Sequence, residues 1–260
     1  MAGAFDLSGK VAVITGGNGG IGLGMAEALV RAGCAVSIWG RNADKNRDAA
    51  ARLSGLGGAV DTRVCDVTDR ASIAAAFAGT LAALGRVDAC YANAGIGGGG
   101  RRAFVDRTED EWHRMFATNL DGVFHVFQAA ARHMIERAER GDAFGRLIAT
   151  SSLASIFGTA RNEHYAATKA AINALVRALA VEHARHGVTA NAVLPGWIRS
   201  DMTAGLMANE KFVANVMPRI PMRRFGEPED FGGIAVYLAS AASSYHTADC
   251  FVIDGGYSAF

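Results

Sequence analysis

An α/β fold built on a doubly wound parallel sheet is predicted by three features of this chain. Short β-branched runs alternate with Ala- and Leu-rich amphipathic stretches along nearly all of its 260 residues. The first of these runs enters the first amphipathic stretch through a glycine-rich turn. Two irregular stretches, 96–107 and 197–224, each follow a predicted strand. Such alternation implies βαβ crossovers and a parallel sheet with helices on both faces. Ligands of open parallel sheets bind beyond the carboxyl ends of the strands, and loops of this length are usually functional.

The elements follow in order. Residues 11–15 read as a strand and 20–32 as a helix; 35–39 is a second strand and 43–56 its helix. Residues 60–65 form a third strand, 72–84 a helix and 87–92 a fourth strand. A long helical region covers 109–137 with a break near Thr118. Residues 146–151 are strand-like, 165–186 helical and 188–194 strand-like again; 228–239 is a helix and 250–253 the last strand. No repeat and no linker divides the chain, so residues 1–260 are expected to form one domain, within the size range of α/β folds.

Composition narrows the function. Half of the residues are apolar and a fifth charged, which is ample for a core. A net charge of +1 without a basic block argues against nucleic acid. No apolar run reaches the ~18 residues a membrane span needs. The first ten residues lack a basic segment followed by an apolar one, so a cytoplasmic location is expected. Cys34, Cys65, Cys90 and Cys250 are scattered without a Cys-x-x-Cys pair, and the first three read as small core residues. His113, His125 and His133 are too dispersed for a metal site, and none is expected.

Thr15-Gly16-Gly17-Asn18-Gly19-Gly20-Ile21-Gly22 joins the first strand to the first helix. Glycines let a backbone approach a pyrophosphate, and a helix N-terminus offers unpaired N–H groups and a positive dipole end. Gly17, Gly19 and Gly22 fit the usual dinucleotide spacing; Gly16, Gly20 and Gly22 fit a looser one. About twenty residues on, an NAD site would carry an acid for the ribose diol. Gly40 and Arg41 stand there instead. A guanidinium suits a 2′-phosphate, so NADP(H) is favoured and NAD(H) is the alternative. In that alternative Gly40 leaves room, Trp39 covers the adenine and Arg41 turns to solvent.

Tyr165 and Lys169 stand four apart in a predicted helix, one turn from each other on one face. A free phenol, with a pKa of about 10, is a poor base at neutral pH; a nearby cation pulls that value down. The pair is a proton-transfer device for carbonyl/alcohol chemistry. Ser151 and Ser152 lie upstream; adjacent strand residues face opposite ways, so only one can face a pocket, and Ser155 is a third candidate.

Together these residues resemble the classical branch of the short-chain dehydrogenase/reductase superfamily. The resemblance rests on Thr15-Gly16-x-x-x-Gly20-Ile21-Gly22, Asp66, Asn93-Ala94-Gly95, Asn119, Ser152, Tyr165-x-x-x-Lys169 and Pro195-Gly196, in family-like order. It implies a Rossmann-like sheet of seven strands and a catalytic set of Asn119, Ser152, Tyr165 and Lys169. The family's thirteen-residue interval to the tyrosine selects Ser152. Asn119 is implied to anchor a water beside Lys169. Cofactor contacts are implied for Gly16, Asn18, Gly20, Ile21 and Gly22 in the first turn and for Arg41. Asp66 and Val67 are implied at the adenine, and Asn93, Ala94 and Gly95 after the fourth strand. Pro195, Gly196, Ile198 and Ser200 are implied near the nicotinamide, with Tyr165 and Lys169 at its ribose. Three positions depart from the common pattern: Ala92 replaces an Asn, while Thr168 and Ser200 keep a hydroxyl.

The implied function is an oxidoreductase moving hydride between a nicotinamide and a ketone or secondary alcohol. Reductases of 3-oxoacyl carriers, sugar dehydrogenases and steroid dehydrogenases share these motifs. The competing class is a non-catalytic dinucleotide-sensing regulator on the same fold, which the intact Ser152, Tyr165 and Lys169 oppose. His164 reads as a solvated residue at a helix start, and Arg101-Arg102 as a solvated loop. Trp197, Met202, Leu206 and Met207 either line an apolar pocket or pack together. The family's habit of tetramers, with the aromatic ending Tyr257-Ser-Ala-Phe260, implies a homotetramer.

Overall fold

Seven parallel strands form one sheet in the computed structural model, which describes residues 3–98 and 102–259. The strands are β1 (Val11–Thr15), β2 (Ala35–Gly40), β3 (Val60–Val64), β4 (Ala89–Ala92), β5 (Gly145–Thr150), β6 (Val188–Pro195) and β7 (Cys250–Ile253). Their spatial order is β3-β2-β1-β4-β5-β6-β7. Strand order reverses at β1, which pairs with β2 on one side and β4 on the other; Val13 sits opposite Ser37 and Cys90. That reversal opens a crevice at the carboxyl ends of β1 and β4.

Helices cover both faces because each turns one apolar stripe to the sheet. One face carries α1 (Gly20–Arg31), α2 (Ala43–Ser54) and, late in the chain, a short helix Gly232–Ala239. Met25, Leu29, Leu53, Phe231 and Leu238 bury their side chains there against Ile14, Ile38 and Tyr91. The other face carries α3 (Arg70–Leu84), α4 (Glu109–Phe116), α5 (Gly122–Glu139) and α6 (Glu163–His183). Phe77, Phe127, Met134, Ile172 and Val176 fill that layer. Cys34, Cys65 and Cys90 are buried as small core residues.

The expected break near Thr118 is a π turn over Ala117–Asp121 between α4 and α5. Such turns often occur at functional sites. The stretch after β6 is less irregular than the sequence suggested. It holds α7 (Ala204–Met207) and α8 (Glu210–Val216), packed on a small core of Val216, Ile220 and Phe225. These helices are too short to show a 3.6-residue pattern. The helix Gly232–Ala239, α9, is preceded by a 3-10 turn at Pro228–Phe231. Among the described residues no helix is long and apolar enough to cross a membrane.

Candidate active site

A cavity of about 1260 Å³ opens beyond the carboxyl ends of the strands. Its floor begins at the turn from β1 to α1. Gly16 and Gly20 have φ of +64° and +49°, backbone that L side chains rarely adopt. A Cβ on Gly22 would lie 2.4 Å from the Gly16 carbonyl oxygen. Gly19, by contrast, is extended and has nothing within 4 Å of a Cβ. The structure therefore uses the looser register of Gly16, Gly20 and Gly22. No side chain caps the helix that this turn starts: Asn42, Asp69 and Thr108 cap α2, α3 and α4, whereas α1, like α5, α6, α7 and α9, has no side-chain cap. The first N–H groups of α1 are left for a ligand, and negative charge is favoured there.

Asn93 ties the crevice together. Its Nδ2 donates to the carbonyl oxygens of Thr15 (3.1 Å) and Gly16 (3.3 Å), and its Oδ1 accepts from the Thr150 hydroxyl at 3.0 Å. Thr15 Oγ1 accepts from the Asn93 and Ala94 amides at 3.0 Å each. The first turn is thus fixed against the ends of β4 and β5. Ala94 and Gly95 line the cavity beside it.

Ser152, Tyr165 and Lys169 meet on one wall. Tyr165 stands in the first turn of α6 and Lys169 one turn later. The Lys169 ammonium donates to the Thr150 carbonyl at 2.7 Å, and the Ser151 hydroxyl donates to the Lys169 carbonyl at 3.0 Å. These two bonds seat α6 on the end of β5. Ser151 is buried in that role, so Ser152 is the serine that faces the cleft. Ser155 is committed elsewhere: it accepts from Asn173 at 2.8 Å and donates to the Ser152 carbonyl at 2.6 Å. It props the serine rather than replacing it.

Burial pushes the Tyr165 phenol above its ordinary value, and the neighbouring Ser152 hydroxyl draws it partway back. Burial also pulls Lys169 down to about 8. The expected depression of the phenol by the lysine does not appear in the chain alone. The ammonium lies 5.6 Å from the Tyr165 ring centre and spends a hydrogen bond on Thr150. Desolvation of a buried phenolate outweighs it.

Asn119 sits in the π turn, fully buried behind this wall. Its Oδ1 accepts from the Ile96 amide (2.8 Å) and its Nδ2 donates to the Ile96 carbonyl (2.9 Å). The Asn119 side chain thus braces the loop after β4. Gly95 fills the space between Asn119 and Lys169. Gly22 also stands behind the wall, packed on Gly16.

The remaining cofactor candidates line the cavity: Asn18 and Ile21 at the first turn, Arg41 after β2, Asp66 and Val67 after β3, and Pro195, Gly196, Ile198 and Ser200 after β6. Asp66 accepts from the Thr68 amide and hydroxyl at 2.9 and 2.8 Å, which lowers its pKa; nearby Arg41 adds to the effect. Two expectations about this end need correction. Gly40 leaves no room, because Asn18 and Asn46 fill the space its Cβ would take. Trp39 is buried with its indole N–H on Ser37 and Thr80, at 3.0 and 3.1 Å, so it forms fixed wall rather than a cover.

His164 also differs from expectation. It is 2% exposed and packs against Arg107 at 3.3 Å, because α6 starts beneath the loop that carries Arg107. Burial, then that cation, lowers its pKa. Arg102 is exposed and pairs with Glu111, as a solvated loop would; Arg101 lies outside the described residues. Trp197, Met202 and Leu206 line the cavity, while Met207 packs on the small core beneath. Among the described residues no cluster of three His, Cys, Asp or Glu could hold a metal.

Three charged lining residues escaped sequence reasoning. Lys45 and Asp201 pair at 2.7 Å across the mouth near Arg41. Arg219 lies at the opposite end, its guanidinium 4.5 Å from the centre of the Tyr257 ring. None stands in a local motif, so only the fold brings them in.

Known proteins share this fold. The family described as enoyl-(acyl carrier protein) reductase matches residues 16–258. The chain is 35% identical over 250 residues to a 3-oxoacyl-(acyl-carrier-protein) reductase of Chlamydia pneumoniae, covering 96% of this chain and 97% of that one. It is 36% identical over 253 residues to gluconate 5-dehydrogenase of Gluconobacter oxydans, covering 97% and 96%. A gluconate 5-dehydrogenase of Burkholderia cenocepacia, solved in complex with NADP and tartrate, superposes with a TM-score of 0.92 at 36% identity over 99% of this chain and 98% of that one. Fold, cleft and relatives agree, and the chain belongs to the short-chain dehydrogenase/reductase family of NAD(P)-dependent oxidoreductases.

Proposed function

We propose that this chain is an NADP(H)-preferring oxidoreductase whose substrate is a small hydroxy or oxo acid, with Ser152, Tyr165 and Lys169 as its catalytic residues. One observation carries the reading: these three side chains share a cavity with the uncapped N-terminus of α1. The cavity suits a dinucleotide, since close glycine backbone and free N–H groups wait at one end and an apolar wall at the other. Gly16, Asn18, Gly20 and Ile21 hold the pyrophosphate, Arg41 the 2′-phosphate, and Asp66 and Val67 flank the adenine. Pro195, Gly196, Ile198 and Ser200 flank the nicotinamide, and Asn93 to Gly95 complete the wall. Asn119 acts by holding the loop after β4.

When bound, the nicotinamide supplies or accepts the hydride; the protein supplies position and proton transfer. Ser152 and Tyr165 donate hydrogen bonds to the substrate oxygen. In reduction Tyr165 gives its proton to that oxygen as charge develops on it. Lys169, with an ordinary value of 10.5 pulled to about 8, is still largely charged at neutral pH and stabilises the phenolate left behind. Oxidation runs the same proton transfer in reverse.

The acid in the substrate is read from Arg219. It is the cation that lines the end of the cavity formed by Trp197 and Tyr257, far from Arg41 across the sheet order. A guanidinium held over an aromatic face is suited to a carboxylate. Relatives named as gluconate 5-dehydrogenases support the same class. The test is turnover with NADPH and NADH on a hydroxy acid and on its neutral amide, in wild type and Arg219→Gln. Expected is NADPH preference and a loss confined to the acid. Equal turnover of acid and amide sinks the substrate reading, and no turnover of any ketone or alcohol sinks the enzyme.

The whole chain, 1–260, acts as one dinucleotide-binding and catalytic domain in the cytoplasm. It associates as a homotetramer. Support comes from the edge strand β7 with Val252 39% exposed and from Val181 exposed on α6; Phe260 of the aromatic ending lies outside the described residues. A light-scattering mass of a single chain at micromolar concentration refutes the tetramer.

A further inference from the structure

Asn46 is a buried amide on a helix whose neighbouring side chains are mostly solvated: it is 2% exposed, while Asp44, Lys45, Arg47 and Asp48 are exposed. Its Nδ2 donates to the carbonyl oxygens of Gly40 (2.9 Å) and Arg63 (3.0 Å), at the ends of β2 and β3. Its Oδ1 accepts from Asn18 Nδ2 at 2.7 Å, in the turn between β1 and α1. One side chain thus joins three segments that border the cavity. The network also fixes both amide orientations. Two backbone carbonyls can only accept, so Nδ2 must face them, and Asn18 must then present its own Nδ2.

The pair stands where another group would have to go. A Cβ on Gly40 would lie 2.2 Å from Asn18 Nδ2 and 2.6 Å from Asn46 Oδ1. Position 40 is the end of the second strand, where a carboxylate would meet a ribose diol. Any side chain there must first displace Asn18, and Asn18 is held by a buried partner whose two N–H groups are both committed elsewhere. An unanchored amide could swing aside at little cost; this one cannot without orphaning the buried Asn46 Oδ1 acceptor.

We propose that Asn46 is a positioning residue that, through Asn18, closes the diol-binding position at Gly40 and so helps commit the site to a dinucleotide bearing a 2′-phosphate. This rests on reading the cavity as a dinucleotide site. Arg41 attracts the phosphate; the amide pair excludes the acid that would serve the diol. Cofactor choice is then set by two separable features on either side of one peptide bond.

The test is the equilibrium binding of NADPH and NADH, followed by protein fluorescence without turnover. Four proteins form a cycle: wild type, Gly40→Asp, Asn46→Ala and the double variant. Gly40→Asp alone should lose NADPH affinity and gain little for NADH. Adding Asn46→Ala should raise NADH affinity by about 10-fold over Gly40→Asp, a coupling of the size neighbouring residues show. A merely structural role for Asn46 would weaken both cofactors together and leave their ratio unmoved; that result overturns the proposal. So does a Gly40→Asp protein that gains NADH fully on its own. If the acidic variants do not fold, Gly40→Ala with and without Asn46→Ala replaces them. The added methyl should cost about 10-fold in NADPH affinity only while Asn46 is present, and an equal cost in both backgrounds overturns the lock. Wild type that binds neither dinucleotide overturns the reading of the cavity itself.

Discussion

The two ends of the sheet bury charge in opposite ways. At the amino end of β4, Asp88 is fully buried and accepts from the Val11 amide at 3.0 Å, from Arg86 at 2.8 and 2.6 Å, and from Arg137 at 2.9 Å. Arg137 also donates to the Val87 carbonyl (2.8 Å) and to Asp142 (2.9 Å). Donors and acceptors there meet one another, and the Asp88 hydrogen bond raises the Arg86 guanidinium above its ordinary value. At the carboxyl end Lys169 is 5% exposed, yet among the described residues its three N–H donors find one protein acceptor, Thr150. Its pKa falls rather than rises. A closed network keeps a frame; an open one holds donors ready for something the chain does not supply. Buried charge alone therefore says little about function, and the presence or absence of partners says more.

The comparison breaks most sharply at Tyr165. Tyr165→Phe keeps the ring and removes the proton. The expected loss in kcat is ~10²–10⁴-fold, with the affinity for cofactor nearly intact. Residual activity within threefold of wild type would remove Tyr165 from the chemistry.

Arg137→Leu makes the same cut at the closed end. Asp88 loses a buried partner while Arg86 stays, so destabilisation of about 3 kcal/mol is expected, at the lower end for broken buried pairs. Urea unfolding measures it. kcat per folded molecule should not move, since Arg137 lies at the other end of the sheet. A loss under about 1 kcal/mol would mean that this network does not hold the frame.

How much of this was legible beforehand differs between the two ends as well. β1 over Val11–Thr15 and β7 over Cys250–Ile253 fall where the apolar runs placed them, because two-residue periods and β-branching are local signals. Tyr165, Lys169 and the glycine turn were readable for the same reason: their chemistry sits within one helical turn or one loop. Asn46 was not, because nothing in a solvated helix marks one amide as buried. His164 was misread for want of Arg107, which is 57 residues away in sequence. The partners of Asp88 are likewise distant, and a charge shows its role only when the fold brings its partner.

Lys169→Met tests whether the open end costs stability. Burial holds the folded amine near 8 against an ordinary 10.5, so the unfolded chain keeps a proton that the folded one gives up between those values. Stability of the cofactor-free chain therefore rises with pH across that window, by at most about 3 kcal/mol from this group. Methionine cannot titrate. The variant should be the more stable protein at pH 7, and the advantage should shrink toward pH 10. It should also bind cofactor less well. A stability difference that does not change with pH would mean that Lys169 is not desolvated as its surroundings suggest.

The smallest effects are expected around Arg41, because its side chain is exposed and its charge screened. Arg41 lines the cavity beside Lys45, and Lys45 is already paired with Asp201 at 2.7 Å. Arg41 has no such carboxylate within ion-pair reach among the described residues, although it is near enough to Asp66 to lower that group's pKa. It is the freer of the two cations to meet a 2′-phosphate. A partly exposed charge-assisted contact contributes about 1.5–3 kcal/mol. Arg41→Ala should therefore reduce the preference for NADPH over NADH by roughly one to two orders of magnitude, measured as a ratio of kcat/KM. Adding salt should narrow the gap between wild type and variant, since the contact faces solvent. Lys45→Ala should do less, and Asp201→Asn should raise NADPH affinity slightly by freeing Lys45. Wild type that prefers NADH would show that Arg41 is a surface residue only. In that case position 40, closed by Asn18 and Asn46, could not supply the diol with its acid, and Asp66, across the same end of the cleft, would be the carboxylate left to test.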